Sequence, residues 1–135
     1  MKKLLVSNKI YIKKSAIPSA GRGVFAKSDI KKGKIIESCP IIEIPKGDAA
    51  NLKTSTLVTY FFYFGKNRQR AALALGFGSI YNHSKKPNAS FKIKAEDMLI
   101  DFIALENIKK GQEITFDYYG SGNKKSRKNP LWFEE

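Results

Sequence analysis

Tyr81-Asn82-His83-Ser84-Lys85-Lys86-Pro87-Asn88 is a polar corner that closes an apolar, glycine-spaced run, Ala74-Leu75-Gly76-Phe77-Gly78-Ser79-Ile80. Asn, His, Ser and Pro in such close succession interrupt both helical and strand periodicity, so the segment reads as a turn. Downstream, Gly111-Gln112-Glu113-Ile114-Thr115-Phe116-Asp117-Tyr118 reads as a glycine turn entering a strand that ends in tyrosine. Upstream, Gly21-Arg22-Gly23-Val24-Phe25-Ala26 has the same form. Taken singly, each piece is an ordinary turn or strand end. Their order along one chain carries the information.

The rest of the chain is mainly β. Ile10-Tyr11-Ile12 between Lys9 and Lys13 predicts an opening strand, and Pro18 to Gly23 a turn before Val24-Phe25-Ala26. Ile35-Ile36 and Ile41-Ile42-Glu43-Ile44 predict two strands separated by Pro40 and ended by Pro45 and Gly47. Asp48 to Thr56 lacks periodicity and reads as a loop or a short helix. Met98 to Leu105 alternates, with Ile100, Phe102 and Ala104 on one face. Ile114 to Tyr118 predicts a last strand before a basic tail. Asp29-Ile30-Lys31-Lys32-Gly33 is echoed by Asn107-Ile108-Lys109-Lys110-Gly111. Two similar turns explain the echo more simply than a duplication.

Size and composition bound the function. At 135 residues the chain predicts a single domain, 1–135, with its motifs between about 10 and 118 and a basic tail over 119–135. Hydrophobic content of 42% and charged content of 27% suit a globular protein. No apolar run reaches the length of a membrane span, and Ser7-Asn8-Lys9 interrupts the apolar start, which predicts mature protein without a signal peptide and an intracellular location. Cys39 is the single cysteine and His83 the single histidine, which predicts no disulfide and no metal site. Lys plus Arg is 25 against 12 for Asp plus Glu, a net charge of +13, so non-specific attraction to nucleic acid is expected. The lysines spread along the whole chain, which argues against nucleic-acid binding as the main function.

From Ile10 to Tyr118 the motif string resembles the SET domain of protein-lysine methyltransferases. Ala74 to Ser84 looks particularly like the minimal SET proteins of large DNA viruses and some bacteria. The resemblance implies a β-clip-like SET fold with several small sheets, short helices and a C-terminal pseudoknot, and that fold uses the echoed turn twice. Composition could not have predicted the knot, since threaded chains are rare.

The resemblance also implies an activity, S-adenosylmethionine-dependent N-methylation of lysine with S-adenosylhomocysteine as product. Gly21, Arg22 and Gly23 would let the backbone approach the cofactor, and Asn82 and His83 would hydrogen-bond it, His83 through its backbone and not as a general base. Tyr118 matches the active-site tyrosine and also lies at the cofactor. Tyr60 aligns with a second channel tyrosine, with Tyr63 as the competing choice. Phe116 and Tyr81 would line the substrate channel, and phenylalanine at 116 implies di- or trimethylation. Trp132 or Phe133 is the candidate to cover the adenine. The implied partners are a lysine-bearing protein, histone among them, and a second copy of the chain completing the substrate groove. Glu37, Glu43, Glu96, Asp97 and Asp101 are the acids available for a groove that attracts a basic peptide. The competing reading is a catalytically silent SET-fold module that binds nucleic acid or peptide through its basic surface.

Overall fold

The computed structural model describes residues 3–119 and the short strand at 127–128. Among these residues the chain forms β1 (Ile10–Lys14), β2 (Arg22–Ala26), β3 (Ile35–Ile44), helix α1 (Lys46–Asn51), β4 (Phe62–Phe64), β5 (Arg70–Ala74), β6 (Asn82–His83), β7 (Ala89–Lys94), β8 (Leu99–Ala104), β9 (Glu113–Phe116) and β10 (Arg127–Lys128). Single turns of 3-10 helix at Thr56–Tyr60, Lys66–Arg68 and Ala95–Asp97 join some of them. The strands pair in the order β1-β2-β9-β7-β8-β3-β5-β4-β10, with β6 attached to β9.

Three features differ from expectation. Pro40 does not separate two strands, because β3 runs through it and changes partner there. Residues up to Pro40 pair with β8, and Ile41–Ile44 pair with β5. A residue without an N–H is tolerated where one ladder ends and another begins. Its carbonyl is still used, accepting from Leu75 N at 2.9 Å. Second, β9 stops at Phe116, short of Tyr118, and β10 follows it. Third, Asp101 on β8 is buried along with its apolar neighbours Ile100 and Phe102, because β8 is an interior strand between β7 and β3. Ser38 Oγ donates to its carboxylate at 2.6 Å and Lys94 Nζ pairs with it at 2.7 Å. Ile100, Phe102 and Ala104 do share the core face, as their alternation predicts.

The echoed turns prove to face each other. Ile30 and Ile108 exchange both backbone hydrogen bonds, at 2.8 Å each way. Asn107 Oδ1 accepts from Lys32 N at 2.9 Å, and Asp29 Oδ1 from Lys110 N at 2.8 Å. Gly33 N donates to Ala104 O and Gly111 N to Ala26 O, both at 2.8 Å with left-handed φ at the glycine. The arrangement is a local two-fold clasp, in which β3 pairs with β8 while β9 pairs with β2. Asp29→Ala and Asn107→Ala each remove one exposed hydrogen bond of the same kind. Matching losses of about 1 kcal/mol are expected in urea titrations, against a sum near zero if the clasp is ornamental.

This clasp delivers β9 between β2 and β7, and β6 runs parallel beside it, Asn82 opposite Thr115 and His83 opposite Phe116. Asn88 pins the register: its amide donates to Glu113 O and its oxygen accepts from Thr115 N, both at 2.9 Å. The side chain stands in for a strand neighbour. Of the residues flagged in the sequence, Gly23, Asn82, His83, Phe116 and Tyr118 are thus brought together along β9.

Candidate active site

Gly23 sits on β2 where a Cβ would run into Glu113 Oε2 and lie 2.9 Å from Asn82 Nδ2. Glycine is needed here for space. Asn82 is buried, and its amide nitrogen donates to Arg22 O at 3.0 Å and to Glu113 Oε2 at 2.8 Å. The other Glu113 oxygen accepts from Ser15 Oγ at 2.7 Å, and Ser15 N donates to Gly21 O at 2.8 Å. One carboxylate therefore ties the β1–β2 turn to the Asn82 corner. With Nδ2 committed twice, Oδ1 is the Asn82 atom left to accept from a ligand. Gly21 has a φ of +73° and open space where a side chain would stand, and Arg22 is exposed. Backbone amides and a guanidinium as donors, with an amide oxygen as acceptor, suit an amino-acid zwitterion.

Sequence reading missed Glu113. It stands in the quoted string, but nothing local marks a strand's first residue as a bridge between two distant turns. The signal would have been its register opposite Phe25, which pairing alone reveals.

His83 and Tyr118 are joined through the backbone, with Tyr118 N donating to His83 Nδ1 at 3.0 Å. The two rings lie 5.1 Å apart, and Tyr119 packs edge-on to His83 at 5.6 Å. Nδ1 can accept only when unprotonated, so the neutral Nε2–H tautomer is the one that holds Tyr118. Desolvation lowers the His83 pKa below the ordinary imidazole value, Asp117 at 3.8 Å opposes this, and Lys85 adds to it. The folded pKa thus lies below the unfolded one. The contribution to stability is whole above about pH 6.5 and is lost as pH falls through the depressed value. An acid limb in both kcat and thermal stability, with its midpoint below about 6.5, is expected from paired pH profiles. In His83→Gln that limb should vanish from thermal stability, and kcat should keep only the fall set by protonation of the substrate amine.

Tyr118 is closed off from solvent, and its hydroxyl donates to Tyr81 O at 2.5 Å. Phe116 lies 5.0 Å from the Tyr118 ring at the centre of an aromatic cluster with Phe62, Phe91 and Phe102. Tyr81 was expected as a channel wall. Its ring instead belongs to the core, stacked on Phe102 at 4.4 Å, and it is the carbonyl that meets Tyr118. Tyr60 ends a 3-10 turn half-buried, and the ring of its run that reaches Phe116 is Phe62, at 5.9 Å. Tyr63 pairs in register with Ala71 and Arg127. Trp132 and Phe133 lie outside the described residues.

The acids expected to form a peptide groove do not come together. Glu37 is buried on Tyr81 and Phe77, Glu43 is paired with Arg70 at 2.6 Å, and Asp101 is buried on Lys94. Glu96 and Asp97 remain exposed on their own turn.

Comparison with known proteins bears on these positions. Residues 21–119 match the SET domain family. A Schizosaccharomyces pombe histone-lysine N-methyltransferase specific for H3 lysine-37 is 30% identical over 115 residues, covering 85% of this chain and 71% of that protein. A candidate histone methyltransferase of Plasmodium falciparum, known from a crystal structure, is 32% identical with a TM-score of 0.67 over 96% of this chain and 100% of that one. A chain of Chaetomium thermophilum polycomb repressive complex 2, solved with S-adenosylmethionine, has a TM-score of 0.72 at 22% identity and shares the fold over 87% of this chain and 16% of its own length. With Gly23, Asn82, His83 and Tyr118 all inside the matched stretch, the chain belongs to the SET-domain family of protein-lysine methyltransferases.

Proposed function

We propose that the protein uses S-adenosylmethionine to methylate a histone lysine, carrying it to the di- or trimethyl state. The observation that supports this most is the meeting of two bonded units on adjacent residues: Gly23–Asn82–Glu113, and His83–Tyr118–Tyr81. A silent binding module has no evident use for both.

The residues present fit the cofactor. Asn82 Oδ1 would accept from its ammonium group, and the Gly21–Gly23 backbone with Arg22 would hold its carboxylate. When bound, it supplies an electrophilic methyl group on a sulfonium. The protein's part is positioning, since a near-attack geometry replaces a bimolecular encounter. The Tyr118 proton is committed to Tyr81 O, so in the reaction its phenolic oxygen would serve as acceptor for the N–H of a substrate amine. Desolvation among the rings around Phe116, beside the positive sulfonium of a bound cofactor, would lower the amine's pKa toward the neutral form that attacks. Solvent takes the proton. Phe116 has no hydroxyl to hold a water against the amine, and its neighbours Phe62, Phe91 and Phe102 have none either. On this reading no water held by residue 116 competes with methyl groups already added.

A net charge of +13 disfavours approach of a bare basic tail. The same charge favours docking on nucleosomal DNA, which brings the tail within reach. This substrate implies an intracellular site of action, and a second copy of the chain would complete the substrate groove. The test is labelled cofactor with free histones and with nucleosomes across a salt series, followed by mass spectrometry. Di- and trimethyl-lysine on histone, with nucleosomes preferred at low salt, is expected. A product that stops at monomethyl overturns the product assignment, and transfer to no histone overturns the substrate. Light scattering that shows monomer alone at assay concentration removes the dimer.

A further inference from the structure

Tyr81, whose carbonyl accepts the Tyr118 hydroxyl, holds at its own hydroxyl a carboxylate that the mechanism above does not use. Glu37 on β3 is 8% exposed, and its two oxygens accept from Phe77 N and from Tyr81 Oη, both at 2.9 Å. The turn that closes over it needs glycine at 76, where φ is +62° and a Cβ would lie 2.6 Å from Glu37 Oε2. Burial, and then the negative charge of Glu37, push the Tyr81 phenol well up, so Tyr81 stays a donor at any working pH.

An apolar pair would fill positions 37 and 81 at less desolvation cost than a buried carboxylate. What the polar pair adds is direction. Tyr81 is gripped at its ring by Glu37 and Phe102, and it is followed directly by Asn82, whose amide is locked in turn. A residue fixed at its side chain and at its next neighbour has little freedom to rotate its peptide plane. Its carbonyl is the group that accepts the Tyr118 hydroxyl.

We propose that Glu37 is a positioning residue for methyl transfer, acting through the Tyr81 hydroxyl to aim the Tyr81 carbonyl and so the Tyr118 hydroxyl. This rests on the reading of Tyr118 as the catalytic tyrosine. Glu37 touches no reacting atom, so its loss falls on turnover and spares binding. Misplacing a reacting group by a fraction of an ångström costs about tenfold or more in rate.

The test compares Tyr81→Phe, Glu37→Ala, Glu37→Gln and Tyr118→Phe in the full chain on histone H3. It follows kcat, peptide KM, cofactor Kd by calorimetry, and thermal stability. Tyr81→Phe and Glu37→Ala are expected to lower kcat about tenfold with KM and Kd little changed. Glu37→Gln should restore most of the rate, since its amide can accept from Phe77 N and donate to Tyr81 Oη. Adding Tyr81→Phe to Tyr118→Phe should cost nothing more. Folded Tyr81→Phe with full kcat, beside an inactive Tyr118→Phe, overturns the positioning role alone. Full kcat in Tyr118→Phe overturns the reading of Tyr118 and the positioning role with it. If Tyr81→Phe fails to fold, the Glu37→Ala and Glu37→Gln pair decides: equal rates in the two overturn the proposal.

Discussion

Tyr118→Phe is expected to lower kcat for methyl transfer by about 100- to 1000-fold while the protein stays folded and keeps its affinity for cofactor. The ring is retained, and with it the contacts to Phe116 at 5.0 Å and His83 at 5.1 Å. The backbone bond from residue 118 to His83 Nδ1 also survives, because it uses the amide. Only the oxygen is lost. Without it a substrate amine has no acceptor at that point, and its lone pair is free to turn away from the methyl group. The Tyr81 carbonyl loses its partner as well, and a buried unsatisfied acceptor costs about 1–3 kcal/mol of stability. Single-turnover assays with labelled cofactor, read beside thermal melts, separate the two effects. A variant that turns over within about threefold of wild type would remove Tyr118 from the chemistry.

The second large effect belongs to Gly23. Gly23→Ala is expected to weaken cofactor binding by about two orders of magnitude, roughly 3 kcal/mol. It should also lower folding stability by about 1–3 kcal/mol, the usual cost of forcing atoms into a filled space. The added methyl group would drive Glu113 from Asn82 and tilt the amide whose oxygen is proposed to accept from the cofactor. Gly21→Ala makes the contrast. There the space is open and the φ of +73° is the obstacle, so a conformational cost of about 1 kcal/mol is expected without a collision. Calorimetry with cofactor and urea titration of the two variants test the distinction. An unchanged Kd in Gly23→Ala would mean that the Glu113–Asn82 bond carries no part of the binding site.

What could be read from the sequence was whatever depends on neighbours along the chain. Ile100, Phe102 and Ala104 reveal their shared face by spacing alone, and the Asp29 and Asn107 turns betray themselves by repetition. The motif string points to Gly23, Asn82, His83 and Tyr118 because their order is rare. Pairing was harder to see. Arg70–Ala74 is alanine-rich and by propensity helical, yet it is a strand because small residues there admit the Phe62 ring opposite Ala72. Ala89–Lys94 also forms a strand that was not expected, although its apolar residues alternate. Glu37 and Glu113 were opaque because each matters through a partner far along the chain, Tyr81 and Asn82 respectively.

β9, the strand that leads to Tyr118, lies between two strands that precede it in sequence, β2 and β7. No nascent polypeptide shorter than Glu113 can assemble a working site, and until that segment emerges both flanking strands present unpaired backbone to their surroundings. Pairings between such distant partners close slowly, since the loop entropy is spent before any contact repays it. The joining of Gly23, Asn82 and Tyr118 therefore waits on that one strand, and a chain cut short before Glu113 lacks the piece that brings them together.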